Sequence, residues 1–183
     1  MVPAPAVLAG VGLDMALARL TTRSRLAAFG GSFAIVACFL WNATTLVELH
    51  PYEYLFYNPL VGGLQGASRR YVLDYWFDSM PEAIHELEHY VRLTDPGGPS
   101  HRLYSVAVCG EPLSFEKMVT LPQLHYDFMP RWDQSRFFIA PTHMNCDRDL
   151  GGKIVGVVKR LGVAIAYVKD RQALTAPLAT AAR

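Results

Sequence analysis

The sequence predicts a small α/β domain preceded by one membrane-crossing helix, and three observations carry that expectation. No charged residue occurs from Leu26 to Val47. Between Pro81 and Leu93, the apolar residues Ile84, Leu87 and Val91 recur at helical spacing. Leu103–Val108, Arg136–Ala140, Ile154–Lys159 and Val163–Lys169 are apolar or β-branched runs of strand length. The chain has 183 residues, room for one domain of about 130 residues, which buries a core without staples. Hydrophobic residues make up 51% and charged residues 18%, against roughly 25% charged in a soluble domain. The deficit lies near the N-terminus, which points to a membrane segment and not to a uniformly apolar protein. Formal net charge is +1, and no lysine or arginine run follows a phosphate backbone, so nucleic acid is not an expected partner.

The expected organisation is a cytoplasmic or interfacial segment over 1–25, a transmembrane helix over 26–48, an extracytoplasmic α/β domain over 49–172 and a flexible tail over 173–183. The apolar run, LAAFGGSFAIVACFLWNATTLV, meets the length of about 20 residues that a span needs. Ser32, Asn42, Thr44 and Thr45 can bond helix carbonyls or a neighbouring helix. Trp41 lies toward one end, where an interfacial aromatic belongs. Gly30, Gly31 and Ser32, with Ala27 and Ala28, invite close helix packing. Asn42-Ala43-Thr44 matches a glycosylation sequon but lies within the span. The competing readings are a buried helix of a soluble protein, which rarely runs so long without a charge, and a cleaved signal peptide, whose apolar core is shorter. Arg19, Arg23 and Arg25 precede the span, and no lysine or arginine follows until Arg69. That asymmetry places the N-terminus in the cytoplasm. Pro5–Leu20 is apolar but interrupted by Asp14. It reads as an interfacial helix or as the end of a membrane helix whose beginning is missing.

After the span, HPYEYLFYNPLVGGL is dense in aromatics. Tyr52, Tyr54, Phe56 and Tyr57, with Trp41, are expected at the membrane surface or against a partner, rings in the apolar layer and hydroxyls wet. Pro51 and Pro59 break helices, and Gly62-Gly63 makes a turn. Helix Pro81–Leu93 begins with a proline suited to a first turn, and Ser79 is its expected cap. Asp95–Pro99 is a loop. Leu103–Val108 is a strand, Ser114–Leu121 a short helix and Arg136–Ala140 a second buried strand. The two final β-branched runs fold around Leu161-Gly162 as a hairpin. Strand, helix, strand and hairpin make a small sheet with helices packed on it. Cys38 lies in the apolar run. Cys109 and Cys146 pair if the domain faces an oxidising compartment, or else are two buried free thiols.

The sharpest motif is His85-Glu86-Leu87-Glu88-His89. It fits H-E-x-x-H, in which His85 and His89, one helical turn apart, bind zinc and Glu86 acts as base. Glu88 adds a charge foreign to such motifs, no third ligand follows at a recognised spacing, and the chain is short for a peptidase. A solvated helix face explains the same residues, and the zinc peptidase stays a minor alternative. His143-Met-Asn-Cys146-Asp147 offers metal-ligand types without a second half, and a loop capping the preceding strand accounts for it. Cys109-Gly110-Glu111 ends a strand, where α/β sheets place ligands, although one glycine is a weak signal. Asp74 and Asp78 lie among aromatics at a spacing that suits sugar contacts, while bonding to local backbone is the commoner fate. No nucleophile elbow, Walker loop or dinucleotide fingerprint occurs. The residues give no catalytic group and no cofactor.

HPYEYLFYNPLVGG followed by YVLDYW resembles the C-terminal part of bacterial polytopic glycosyltransferases of the protein-mannosyltransferase and aminoarabinose-transferase type. The matching residues are His50, Pro51, Tyr52, Tyr54, Tyr57, Asn58, Gly62, Gly63, Leu73, Asp74, Tyr75 and Trp76, and the order of later elements is similar over roughly residues 30–170. The resemblance implies a last membrane helix followed by an extracytoplasmic α/β domain at the bacterial inner membrane. It also implies a polyprenyl-phosphate sugar donor, used through a catalytic carboxylate in the first external loop. This chain carries no such loop, so the resemblance transfers no catalytic residue. The expected function is a membrane-anchored, non-catalytic accessory or scaffold subunit of a larger membrane assembly, with other membrane subunits as partners. The alternative is part of a polyprenyl-phosphate-sugar glycosyltransferase whose catalytic region lies on another chain or is missing.

Overall fold

The structure is a computed structural model, and it describes residues 4–95 and 102–172. The expected tail over 173–183 and most of the Asp95–Pro99 loop lie outside the described residues. The chain divides into two compact units, Met1–His50 and Pro51–Arg183.

The first unit is a pair of helices, α1 (Ala4–Arg23) and α2 (Arg25–Leu49). One extended residue separates them: Ser24 has φ −166° and ψ 128°, and its hydroxyl accepts from the Ala27 amide, capping α2. Three of its polar side chains bond within the helix: Asn42 donates to the Cys38 carbonyl at 2.8 Å, and the Thr44 and Thr45 hydroxyls donate to the Trp41 carbonyl. Such internal bonding satisfies these donors without water. Most of its large apolar side chains are exposed: Phe29, Phe33, Phe39 and Trp41 are each at least two-thirds exposed. Of the three small residues expected to pack a helix, Gly31 takes one from the same chain. A Cβ at Gly31 would lie 3.1 Å from Leu20 Cδ1 and 3.9 Å from Leu17 Cδ2. Gly30 has open space around it and Ser32 is exposed. Pro5–Leu20 thus belongs to a helix that folds back on α2.

The second unit is a five-stranded mixed sheet with packed helices. Its elements are α3 (Gly63–Ala67), α4 (Met80–Thr94), β1 (Tyr104–Val108), α5 (Pro112–Met118), β2 (Leu124–Tyr126), β3 (Phe137–Pro141), β4 (Lys153–Arg160) and β5 (Val163–Asp170), with short 3-10 turns between them. The strand order is β2-β1-β3-β5-β4. β1 lies between β2 and β3, parallel to both, and β5 pairs antiparallel with β3 and β4. The α/β class is therefore as the sequence predicts, as are α4, β1, β3 and the hairpin, each within a residue or two. The hairpin turns on Leu161 (φ 47°) and Gly162 (φ 78°), two left-handed residues of the kind that matches strand twist. The short helix starts two residues earlier than expected, because Pro112 fits its first turn and the Glu111 carboxylate caps it.

Two layers cover the sheet. α4 buries Ala83, Ile84, Leu87 and Val91 toward β3, β4 and β5. Its Tyr90 ring meets Phe137 edge-on, so Phe137 and its registered neighbour Val106 share that face. On the opposite face, Ala107, Phe138 and Ala140 pack with Cys146, Trp132 and Leu150. Each fully buried side chain of this size stabilises the fold by roughly 1.5–3 kcal/mol. Two corrections follow. β2 is a strand that local pattern does not announce, since it is three residues long and follows Pro122. Ser79 precedes α4 but makes no side-chain cap: its hydroxyl donates to the buried Asp74 carboxylate instead.

Candidate functional site

The carboxyl ends of β1 and β3, adjacent parallel strands, open into a cleft of about 600 Å³. Open α/β sheets bind ligands at this position, and the volume falls in the range of small-ligand sites. β1 delivers Cys109, Gly110 and Glu111. β3 delivers Pro141 and, one turn on, His143, Met144, Cys146 and Asp149. Tyr75, Trp76 and Phe77 form the remaining wall.

Each wall has a local cause. The Tyr75–Phe77 segment is turned outward by two residues with left-handed backbone, Asp74 (φ 49°) and Phe77 (φ 55°). Such conformations cost a non-glycine residue about 1–3 kcal/mol and persist only where surroundings enforce them. Here the buried Asp74 carboxylate supplies the enforcement. It accepts from the Tyr54 hydroxyl at 2.5 Å, from the Ser79 amide at 3.4 Å and from the Ser79 hydroxyl. Burial, then the hydrogen bond to Asp74, pushes the Tyr54 hydroxyl well above its ordinary pKa. Gly110 is required by contact: a Cβ there would sit 2.4 Å from Phe77 Cδ1. Opposite, Met144 (φ 50°) and Asn145 (φ 59°) form a second left-handed pair.

Cys109 and Cys146 form a disulfide in the floor of the cleft, with Cα atoms 6.4 Å apart, an ordinary bridge spacing. It ties the β1 end to the turn after β3. The Asp149 carboxylate lies within 4.8 Å of both sulfurs. Among the described residues these three groups alone meet metal-ligand spacing, but a bridged pair offers no thiolate. The rings at the mouth meet at near right angles. Tyr75 and Trp76 have centroids 5.0 Å apart at 88°, and Tyr75 and His143 5.4 Å apart at 76°. Trp76 is 78% exposed and Met144 81%. The His143 Nδ1 is buried without a hydrogen-bond partner. The Leu113 amide, with the Ser114 amide and hydroxyl, holds the Glu111 carboxyl below the usual carboxylate range.

The other residues singled out in the sequence fall elsewhere. His85 and His89 are exposed on α4, Glu86 is half-buried beside Gly156, and none of them joins a ligand cluster among the described residues. Glu88, the charge foreign to the zinc motif, is buried and accepts from the Thr120 and Leu121 amides and the Thr120 hydroxyl, with Arg92 as ion partner. The His143–Asp147 constellation is divided: Cys146 is bridged, and Asp147 pairs with both terminal nitrogens of Arg69 at 2.9 Å. Among the aromatics after α2, Tyr52 is buried beneath Arg160, 4.4 Å from ring to guanidinium, and donates to Glu82 at 3.0 Å. Burial, then Glu82, raises its hydroxyl pKa to about 12. Tyr57 donates to the Val72 carbonyl and stacks on Tyr71, and Phe56 is half-buried. Tyr52, Tyr54 and Tyr57 fasten the segment to the domain by their hydroxyls. Tyr75 and Trp76, 61% and 78% exposed, present their rings at the cleft instead.

Compared with known proteins, the chain matches no family model, no curated protein and no solved structure. Residue chemistry and geometry therefore carry the functional reading. Two parts of the cleft are legible in the sequence, the strand end at Cys109–Glu111 and the turn at His143. That Tyr75–Phe77 faces them is not, because the backbone turns at Asp74 and Phe77 depend on a carboxylate held by Tyr54.

Proposed function

We propose that this chain is a membrane-anchored accessory domain, with α2 crossing the bacterial inner membrane and the α/β domain on its extracytoplasmic side. The observation that carries the reading is α2 itself: 25 residues, apolar, with 6% of its most apolar window buried. A core helix of a soluble protein hides such a surface, whereas lipid accepts it. The arginines before the span and the disulfide after it agree on orientation, since structural disulfides persist in oxidising compartments. The domain acts without chemistry of its own, as a scaffold among other membrane subunits. The test is purification from membranes in mild detergent with mass spectrometry of co-migrating chains. A stoichiometric membrane partner is the expected result. A monomeric chain, or one recovered from the soluble fraction, contradicts the proposal.

A further inference from the structure

The lining of the cleft has one sign of charge. Among the described residues, the ionisable side chains that line it are two carboxylates, Glu111 and Asp149, and one imidazole, His143; no lysine or arginine does. Lys117, in the last turn of α5, interacts with Glu111, and Lys169, held by the Asp147 and Leu150 carbonyls, interacts with Asp149, but neither lysine lines the cleft. A lining of two carboxylates without lysine or arginine favours cations over phosphate and carboxylate ligands.

The apolar part of the lining has a specific shape. Trp76 and Tyr75 present perpendicular rings, and the His143 ring closes a corner against Tyr75. Aromatic faces carry negative quadrupole charge, and cations sit within about 6 Å of their centroids. The edge-to-face contact is ordinary aromatic packing; what marks this pair is that Trp76 stays 78% exposed and Tyr75 61% exposed at the mouth of an acid-lined cleft, where their rings are accessible to a cation. The arrangement is also built at a cost. Six described non-glycine residues have left-handed backbone, and four of them, Asp74, Phe77, Met144 and Asn145, lie in the two segments that form the cleft walls. Strained positions concentrate where a site is pre-formed.

We propose that the cleft at the carboxyl ends of β1 and β3 binds a protonated or fully alkylated amine, its ammonium set against the rings of Tyr75 and Trp76 and balanced by the carboxylates of Glu111 and Asp149. The proposal stands on the cleft alone and does not depend on the accessory role. The ammonium can belong to a soluble amine or to a lipid headgroup, and both share the same chemistry.

The test titrates the full chain, held in nanodiscs of phosphatidylglycerol, with choline and with its uncharged isostere 3,3-dimethylbutanol, by calorimetry and tryptophan fluorescence. Choline is expected to bind roughly tenfold more tightly than the isostere, a ratio within the span of cation–π energies. Trp76→Ala, which removes a mostly exposed ring and leaves the core intact, abolishes that preference. Asp149→Asn reduces it severalfold, and retained circular dichroism and disulfide verify that both variants fold. Phosphatidylcholine nanodiscs identify the source: lower apparent affinity for free choline means that the headgroup occupies the cleft, and unchanged affinity means a soluble amine. Equal binding of choline and isostere, no binding of choline, or a preference that survives Trp76→Ala overturns the proposal.

Discussion

Three phenylalanines of each unit of this chain have opposite fates. Phe29, Phe33 and Phe39 on α2 are 78, 76 and 69% exposed, whereas Phe115, Phe137 and Phe138 in the domain are 0–1% exposed. The difference is one of pattern, not composition. In the domain, apolar residues alternate or recur at helical spacing between charges, so each element has a face to bury. On α2 they run all round the helix and no charge marks an outward face. Such a helix has no amphipathic solution in water, and its Asn42, Thr44 and Thr45 side chains are bonded to its own carbonyls.

The largest effect is expected from Phe138→Ala, which empties the face of the sheet packed with Ala107 and Trp132. About 3–5 kcal/mol of domain stability should be lost, read from urea unfolding of the detergent-purified chain by circular dichroism. Reduction of Cys109–Cys146, which spans 37 residues, should cost about 3–4 kcal/mol by chain entropy; unfolding with and without reductant measures it. Glu88→Gln should cost about 1–3 kcal/mol, because amides and Arg92 lose a charged acceptor. It should also flatten the acid limb of the stability curve. Burial pushes the Glu88 carboxyl up, but the Thr120 hydroxyl, the Thr120 and Leu121 amides and Arg92 outweigh it and hold it low. A carboxylate depressed in the folded state contributes fully above its unfolded pKa of about 4.3, and the contribution disappears as pH falls through the folded value. The smallest effect belongs to Phe33→Ala on α2, under about 0.5 kcal/mol on domain unfolding, against several for Phe138→Ala. A loss comparable to that of Phe138→Ala would mean that Phe33 is packed on protein and not on lipid.

How much was legible follows the same division. Periodicity located α4, β1 and β3, and the Leu161-Gly162 pair located the hairpin, because these elements are decided by local chemistry. β2 was not legible, since three residues after a proline become a strand only by pairing with β1. Tyr52 reads as an interfacial ring from its place after the span, yet Arg160 and Glu82 bury it from distant elements. Half of the cleft was visible in the strand-end rule applied to Cys109–Glu111. The aromatic half was not, because Tyr75 and Trp76 are aimed by left-handed turns for which glycine, the usual signal, is absent. Gly110 is present for a contact with Phe77 that no single sequence displays.

The most direct test of the account is protease accessibility in spheroplasts expressing the full chain, with a tag after residue 183. Proteinase K added outside is expected to remove the tag and degrade the domain, while a fragment containing α2 stays in the membrane after alkaline carbonate extraction. A domain protected until the spheroplasts are lysed, or a chain released by carbonate, would contradict a membrane-anchored extracytoplasmic domain.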